Sequence, residues 1–162
     1  MKIGCYAVLF TDQIRTDTAA VLAGMGTTGG DGVELGVRFF GAERSAELQG
    51  LLQENGLSLA ALHVSITLAD VLNSPRQVEQ ALTEAAQFVK DMPDHRLLLT
   101  GIPTNGDFDQ PDYGDVRFTQ EAYCRQFAET LGAIVKRVQQ QWDVQVFYHN
   151  HHWEFFNGAM LY

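Results

Sequence analysis

The sequence predicts an α/β fold of about five parallel strands with four intervening helices, in one domain spanning residues 1–162. Two observations lead there. Short apolar runs alternate along the chain with stretches of helical periodicity, the pattern of parallel strands joined by helical crossovers. Hydrophobic residues make up 46% of the chain and charged residues 19%, enough apolar material to build a core and too little charge density for disorder.

Residues 3–10 read as a buried strand and residues 16–25 as a short helix, broken by Gly26-Thr27-Thr28-Gly29-Gly30. Residues 33–37 form a second strand. The helix over residues 45–55 places Leu48, Leu51 and Leu52 on one face, and Gly56 suits its C-terminal cap. A third strand covers residues 57–66. Ser74 and Pro75 then suit the N-cap and first turn of a helix that buries Val78, Ala81, Leu82, Ala85, Phe88 and Val89 and stops at Pro93. Residues 96–102 are a fourth strand, followed by an acidic loop over residues 107–115. The longest helix, residues 118–141, carries a stripe of Tyr123, Phe127, Leu131, Ile134, Val135 and Val138. Residues 144–148 are a fifth strand. The runs at the first, third and fourth strands look nearly continuous, as when helices cover a parallel sheet.

Two architectures share this order. One is a complete doubly wound domain of flavodoxin type, which the chain length favours. The other is part of a (β/α)8 barrel, whose full form takes about 250 residues. The expectation is the partial barrel. Ala159-Met160-Leu161-Tyr162 reads as the opening of another helix, and residues 11–16 lack the glycine-rich cradle of a nucleotide binder.

The formal net charge of -9 argues against nucleic acid and against anionic membrane surfaces. Cys5 and Cys124 lack CxxC spacing, so a structural zinc site is not expected and both read as reduced thiols. No leader or membrane-spanning run is evident, and a cytoplasmic location is the default expectation. Asp107, Asp109, Asp112 and Asp115 lack the pattern of a calcium loop and read as solvated. His95, after a Pro-Asp turn, reads as a surface residue.

The candidate site is the run Tyr148-His149-Asn150-His151-His152-Trp153-Glu154-Phe155 at the C-terminal end of the fifth strand. Ligands of parallel α/β folds bind at that end of the sheet. Imidazole transfers protons near neutral pH and binds borderline metals, and a carboxylate does both with harder ions. His149 and His151 are two apart, so in an extended strand they face the same side. Glu34, at the close of the second strand, reads either as a polar group at the mouth of the fold or as a salt-bridged or exposed carboxylate. His63, within an apolar strand, reads as a satisfied core histidine or as a group facing the site. Trp153 is either an apolar wall for a sugar ring or a packing residue of its loop.

The run from Tyr148 to His151 with Glu154-Phe155 resembles the strand-five motif of the xylose-isomerase-like sugar phosphate isomerase/epimerase family. Met1-Lys2-Ile3-Gly4 resembles that family's first strand, Asp31-Gly32-Val33-Glu34-Leu35 its second, and Leu62-His63-Val64-Ser65 its third. The resemblance covers the N-terminal half of the family's TIM barrel. It implies a divalent metal (manganese, cobalt, magnesium or zinc) held by a Glu, an Asp, a His and a second Glu on strands five to eight. Only the first maps here, onto Glu154. It further implies a sugar or cyclitol substrate and isomerisation or epimerisation through an enediolate. Glu154, His149 and His151 are then catalytic candidates, with Glu34, His63 and Trp153 binding substrate. With three metal ligands lacking a counterpart, the expectation is a partial enzyme, inactive alone, that binds a metal poorly or not at all. The alternative is a non-catalytic sugar-binding or interaction module. Self-association is one way to cover the open edges of such a sheet.

Overall fold

A computed structural model of the chain describes residues 2–37, 40, 42–103 and 120–151. Five strands form one parallel sheet: β1 (Gly4–Tyr6), β2 (Gly32–Gly36), β3 (Ser58–Thr67), β4 (Arg96–Ile102) and β5 (Gln145–His149). Between them lie α1 (Thr11–Thr16), α2 (Thr18–Thr27), α3 (Ser45–Glu54), α4 (Asp70–Asn73), α5 (Pro75–Val89) and α6 (Glu121–Trp142).

The strand order in space is the order in sequence, β1-β2-β3-β4-β5. A doubly wound sheet reverses direction at a switch point, which places its first strand in the interior. Here β1 lies at one edge and β5 at the other. The partial barrel is the architecture the chain adopts.

Burial alternates along the strands, and this corrects the reading of continuous apolar runs. On β3, Leu62, Val64 and Ile66 are buried, whereas His63 and Thr67 are half-buried and Ser65 is exposed. On β5, Val146 and Tyr148 are half-buried and Gln145, Phe147 and His149 are exposed. One face therefore meets the helices and the other is open. The covered face contributes Val33, Leu35, Leu62, Val64, Ile66, Leu97 and Leu99 to a single hydrophobic cluster. Leu22 and Met25 of α2, Leu48 and Leu52 of α3, Val78 and Leu82 of α5, and Phe127, Ile134 and Val138 of α6 complete it. Each such side chain contributes about 1.5–3 kcal/mol on burial.

Several boundaries differ from expectation. The first strand is short, because the chain leaves the sheet at Ala7 through a 3-10 turn (Ala7–Phe10) and enters α1. Asp17 caps α2 by accepting a hydrogen bond from the Ala20 amide, at 2.9 Å. That helix runs through Gly26 and is followed by Gly29, with φ of 80°. Gly56 adopts φ of 66°, as its capping role requires. Ser74 holds the N-cap position of α5, but its side chain makes no capping hydrogen bond. The long helix α6 ends at Asp143, a non-glycine residue with φ of 52°. The acidic loop over residues 107–115 and the segment 159–162 lie outside the described residues.

Gly26 is retained inside α2 for a steric reason. A Cβ there would sit 2.7 Å from the Asn55 carbonyl oxygen at the end of α3. Backbone cannot withdraw as a flexible side chain does. Gly26→Ala is therefore expected to destabilise the chain by about 1–3 kcal/mol, the range for overpacking, whereas Gly24→Ala, with open space around it, leaves stability unchanged or higher. Urea unfolding followed by circular dichroism checks both.

Candidate functional site

The open face of the sheet carries the polar groups. Tyr6 pairs in register with Glu34, Gly36 with His63, and Thr100 with His149. With the pleat alternating, Tyr6, Glu34, His63, Thr100 and His149 all project from the side opposite the helices. They stand in the upper part of the sheet, toward the strands' C-terminal ends. Of the residues singled out in the sequence, the structure brings together Glu34, His63, His149 and His151. Glu154 and Trp153 lie outside the described residues.

The centre of the group is His63. Its Nδ1 lies 2.7 Å from the Tyr6 hydroxyl and 3.7 Å from Glu34 Oε1. The Tyr6 and His63 rings meet edge to face, with centroids 5.5 Å apart. Tyr6 stands on β1 and His63 on β3, so this bond spans the intervening β2. Gly36, the β2 neighbour of His63, has no side chain to stand between them. The His149 ring lies 6.2 Å from that of His63, and the His151 ring 4.9 Å from that of His149. The shared orientation expected of His149 and His151 is consistent with that short separation. The Thr100 hydroxyl donates to the His149 carbonyl at 3.0 Å, fixing the end of β5 against β4.

Glu34 sits among these groups with its side chain 24% exposed. Burial pushes its carboxyl pKa above the usual carboxylate range, and the nearby His149 charge draws it partly back. Glu34 is thus not a fully exposed carboxylate, and its 3.7 Å approach to His63 Nδ1 is compatible with the salt-bridged reading as well as with a place at the mouth. The bond to Tyr6 satisfies one ring nitrogen of His63, as either of its two readings allows, and places the ring on the open face of the sheet. His95, expected at the surface, is half-buried, with its Nδ1 3.3 Å from the Asp143 carbonyl oxygen, and lies at the opposite end of β4.

Tyr6 is the site residue that sequence reasoning missed. It sits in an apolar run and lacks a charge or a motif. The available signal was its place one residue beyond Cys5 in a strand whose neighbours alternate faces.

Among the described residues no three His, Cys, Asp or Glu side chains converge to hold a metal ion. The described donors alone therefore do not fit one. The arrangement can donate and accept hydrogen bonds to a polyhydroxylated ligand and can hold a proton on Glu34 at a pH where an ordinary carboxyl has lost it. Neither Cys5 nor Cys124 is in a disulfide. No helix among the described residues is long and apolar enough to cross a membrane.

No family model matches the sequence, and no curated protein matches it. Solved structures do. A sugar phosphate isomerase/epimerase from Parabacteroides distasonis superposes with a TM-score of 0.65 at 14% identity, over 95% of this chain and 52% of its own. A xylose isomerase domain protein from Alicyclobacillus acidocaldarius gives 0.62 at 17% identity, over 91% and 49%. D-psicose 3-epimerase from Clostridium cellulolyticum, solved with D-tagatose, gives 0.65 at 16% identity, over 90% and 51%. This chain has the fold of one half of a sugar isomerase/epimerase barrel. It spans about half the length of these neighbours, and at such low identity the likeness establishes the fold alone.

Two outcomes follow from the geometry. The raised Glu34 pKa means that the folded state holds its proton to higher pH than the unfolded state. Folding stability contributed at this position is greatest below the unfolded carboxylate range and falls as pH rises through the folded pKa. Glu34→Gln should therefore raise the thermal midpoint relative to the unaltered chain at pH 7, and the difference should shrink at pH 4. Tyr6→Phe should cost about 0.5–1.5 kcal/mol, the net value of one hydrogen bond, and shift the His63 ring nitrogen resonances in nitrogen-15 NMR spectra. Unmoved resonances would count against the bond.

Proposed function

We propose that the open face of this half-barrel is one side of a sugar isomerase/epimerase site, binding a polyhydroxylated sugar or cyclitol. One observation carries the reading. Tyr6, Glu34, His63 and His149, from four different strands, present hydrogen-bonding groups together on the uncovered face of a fold shared with sugar isomerases and epimerases. A sugar offers alternating hydroxyl donors and acceptors, and this cluster offers a phenol, a carboxylate and imidazoles to match them.

The chemistry of such a site is proton removal beside a carbonyl, formation of an enediolate, and return of the proton to another carbon or face. Here Tyr6 and His63 would orient hydroxyls, and Glu34 would hold or accept a proton. His149 and His151 lie next in line as proton carriers. Glu154 is the proposed catalytic carboxylate and metal ligand, and Trp153 the proposed wall for the ring. A manganese, cobalt, magnesium or zinc ion would polarise the carbonyl and its neighbouring hydroxyl. Of the four ligands that the resemblance implies, only one maps onto this sequence, at Glu154, so no step is assigned to the ion. We infer that the 162-residue polypeptide binds sugar but does not complete the isomerisation by itself.

The test is calorimetry with D-psicose, D-tagatose and manganese, alongside an epimerisation assay. Millimolar sugar binding without turnover is expected, weakened about 3- to 10-fold by Tyr6→Phe, the equivalent of one hydrogen bond. Absence of sugar binding at about 100 mM, far above the millimolar affinities such contacts support, would sink the site assignment. Manganese-dependent turnover lost in Glu154→Gln would overturn the inactivity and establish the metal role. Binding unaffected by chelator and never accompanied by turnover in any assembly would make the chain a binding module.

A further inference from the structure

The groups on the open face differ in what they leave to a ligand. His149 is exposed, Tyr6 is 36% exposed, and the Glu34 side chain is 24% exposed. The His63 side chain keeps only 11%. Its Nδ1 lies 2.7 Å from the Tyr6 hydroxyl, inside hydrogen-bond range, with Glu34 Oε1 further off at 3.7 Å. Its other nitrogen, Nε2, is shut off from solvent. An imidazole meets the polar groups of a ligand through its two nitrogens. In His63 one is engaged by the phenol and the other is buried.

Tyr6 is placed the other way round. It is the last residue of β1, and the chain leaves the sheet at Ala7. Its ring stands partly in solvent, where a phenol turns among several rotamers unless something holds it. The contact with His63 supplies the hold. The hydroxyl meets Nδ1, and the two rings meet edge to face, with centroids 5.5 Å and planes 62° apart. His63 is itself fixed inside a ten-residue strand, paired with Gly36 on one side and Leu98 on the other. A buried ring in the middle of the sheet thus anchors a partly exposed ring on β1.

We propose that His63 is a positioning residue: it holds the Tyr6 hydroxyl in one orientation on the open face and contributes to ligand binding through that hydroxyl, without itself touching the ligand. The proposal rests on the sugar reading of the open face and gives that site a division of labour. Tyr6 meets a sugar hydroxyl, and His63 orients that hydroxyl at one remove. Fixing a side chain before the ligand arrives removes the cost of ordering it afterwards.

Two measurements on the full chain test it, the first without ligand. The carbon-13 resonance of the Tyr6 ring carbon that bears the hydroxyl, assigned through Tyr6→Phe, reports the hydrogen bond of the phenol. His63→Leu should move it, and His63→Asn, whose amide stands close to the place of Nδ1, should return it toward the parent position. Calorimetry with D-psicose then compares the parent, Tyr6→Phe, His63→Leu and the double variant. His63→Leu should weaken binding by about 3- to 10-fold, as Tyr6→Phe does. In the Tyr6→Phe background the same substitution should cost nothing further, because the group it acts through is already gone. Losses that multiply in the double variant would mean that His63 meets the sugar itself, and would overturn the proposal. A Tyr6 resonance left in place by His63→Leu, in a variant whose circular dichroism matches the parent, overturns it as well. A parent chain that binds no D-psicose sinks the sugar reading and with it the ligand half of the proposal; a resonance that moves would then leave the hold on Tyr6 standing.

Discussion

The helices of this molecule are held by one row of side chains. Val33, Leu35, Leu62, Val64, Ile66, Leu97 and Leu99 stand on one face of the sheet and are all but removed from solvent. At roughly 25 cal/mol per Å² of apolar surface, that row is the main attraction between the sheet and its outer layer. The strand period of two then dictates what the opposite face can carry. Every residue between those apolar positions points away from the helices, and it is there that Tyr6, Glu34, His63 and His149 stand. Core and site are thus two readings of the same strands, offset by one residue.

The polar face has an internal order of its own. Tyr6 reaches across β2 to His63, and Glu34 stands close to the same imidazole nitrogen. These groups come from strands far apart in sequence and are joined through side chains rather than through the ladder. A carboxyl in such company is only partly solvated, and its affinity for a proton rises accordingly. Groups that titrate away from their ordinary range are what proton-transfer chemistry uses.

Much of this was legible in the sequence. The alternation of strands and helices, the five-strand count and the one-sided packing of α5 and α6 follow from apolar spacing. His149 and His151 were visible through their own spacing, and Glu34 and His63 through their polarity in apolar surroundings. Other features were not legible, for identifiable reasons. Tyr6 resembles a core aromatic until its strand's face is known. The first strand ends early because the backbone turns at Ala7, with no glycine or proline to announce it. Gly26 looks like a helix breaker, although its role is close approach to Asn55. Asp143 takes a left-handed conformation that glycine usually fills, so no residue type marked that helix end. The continuous look of the β3 run concealed alternation, because Ala60 and Ala61 are apolar without being core.

The pairing of β2 with β3 holds one irregularity. Val33 stands beside Leu59, but the next residue, Glu34, stands beside Ala61. Ala60 is an extra residue on β3, a bulge of the kind that adds local twist. Below it Leu59 faces the helices, and above it so does Leu62. The two segments of the strand are each in phase with the sheet, and the surplus is absorbed between them. The bulge therefore works as a slack joint in the pleat. The length of chain leading up from α3 is uncoupled from the height and direction at which His63 is presented, so changes at the floor of the sheet need not be transmitted to its rim.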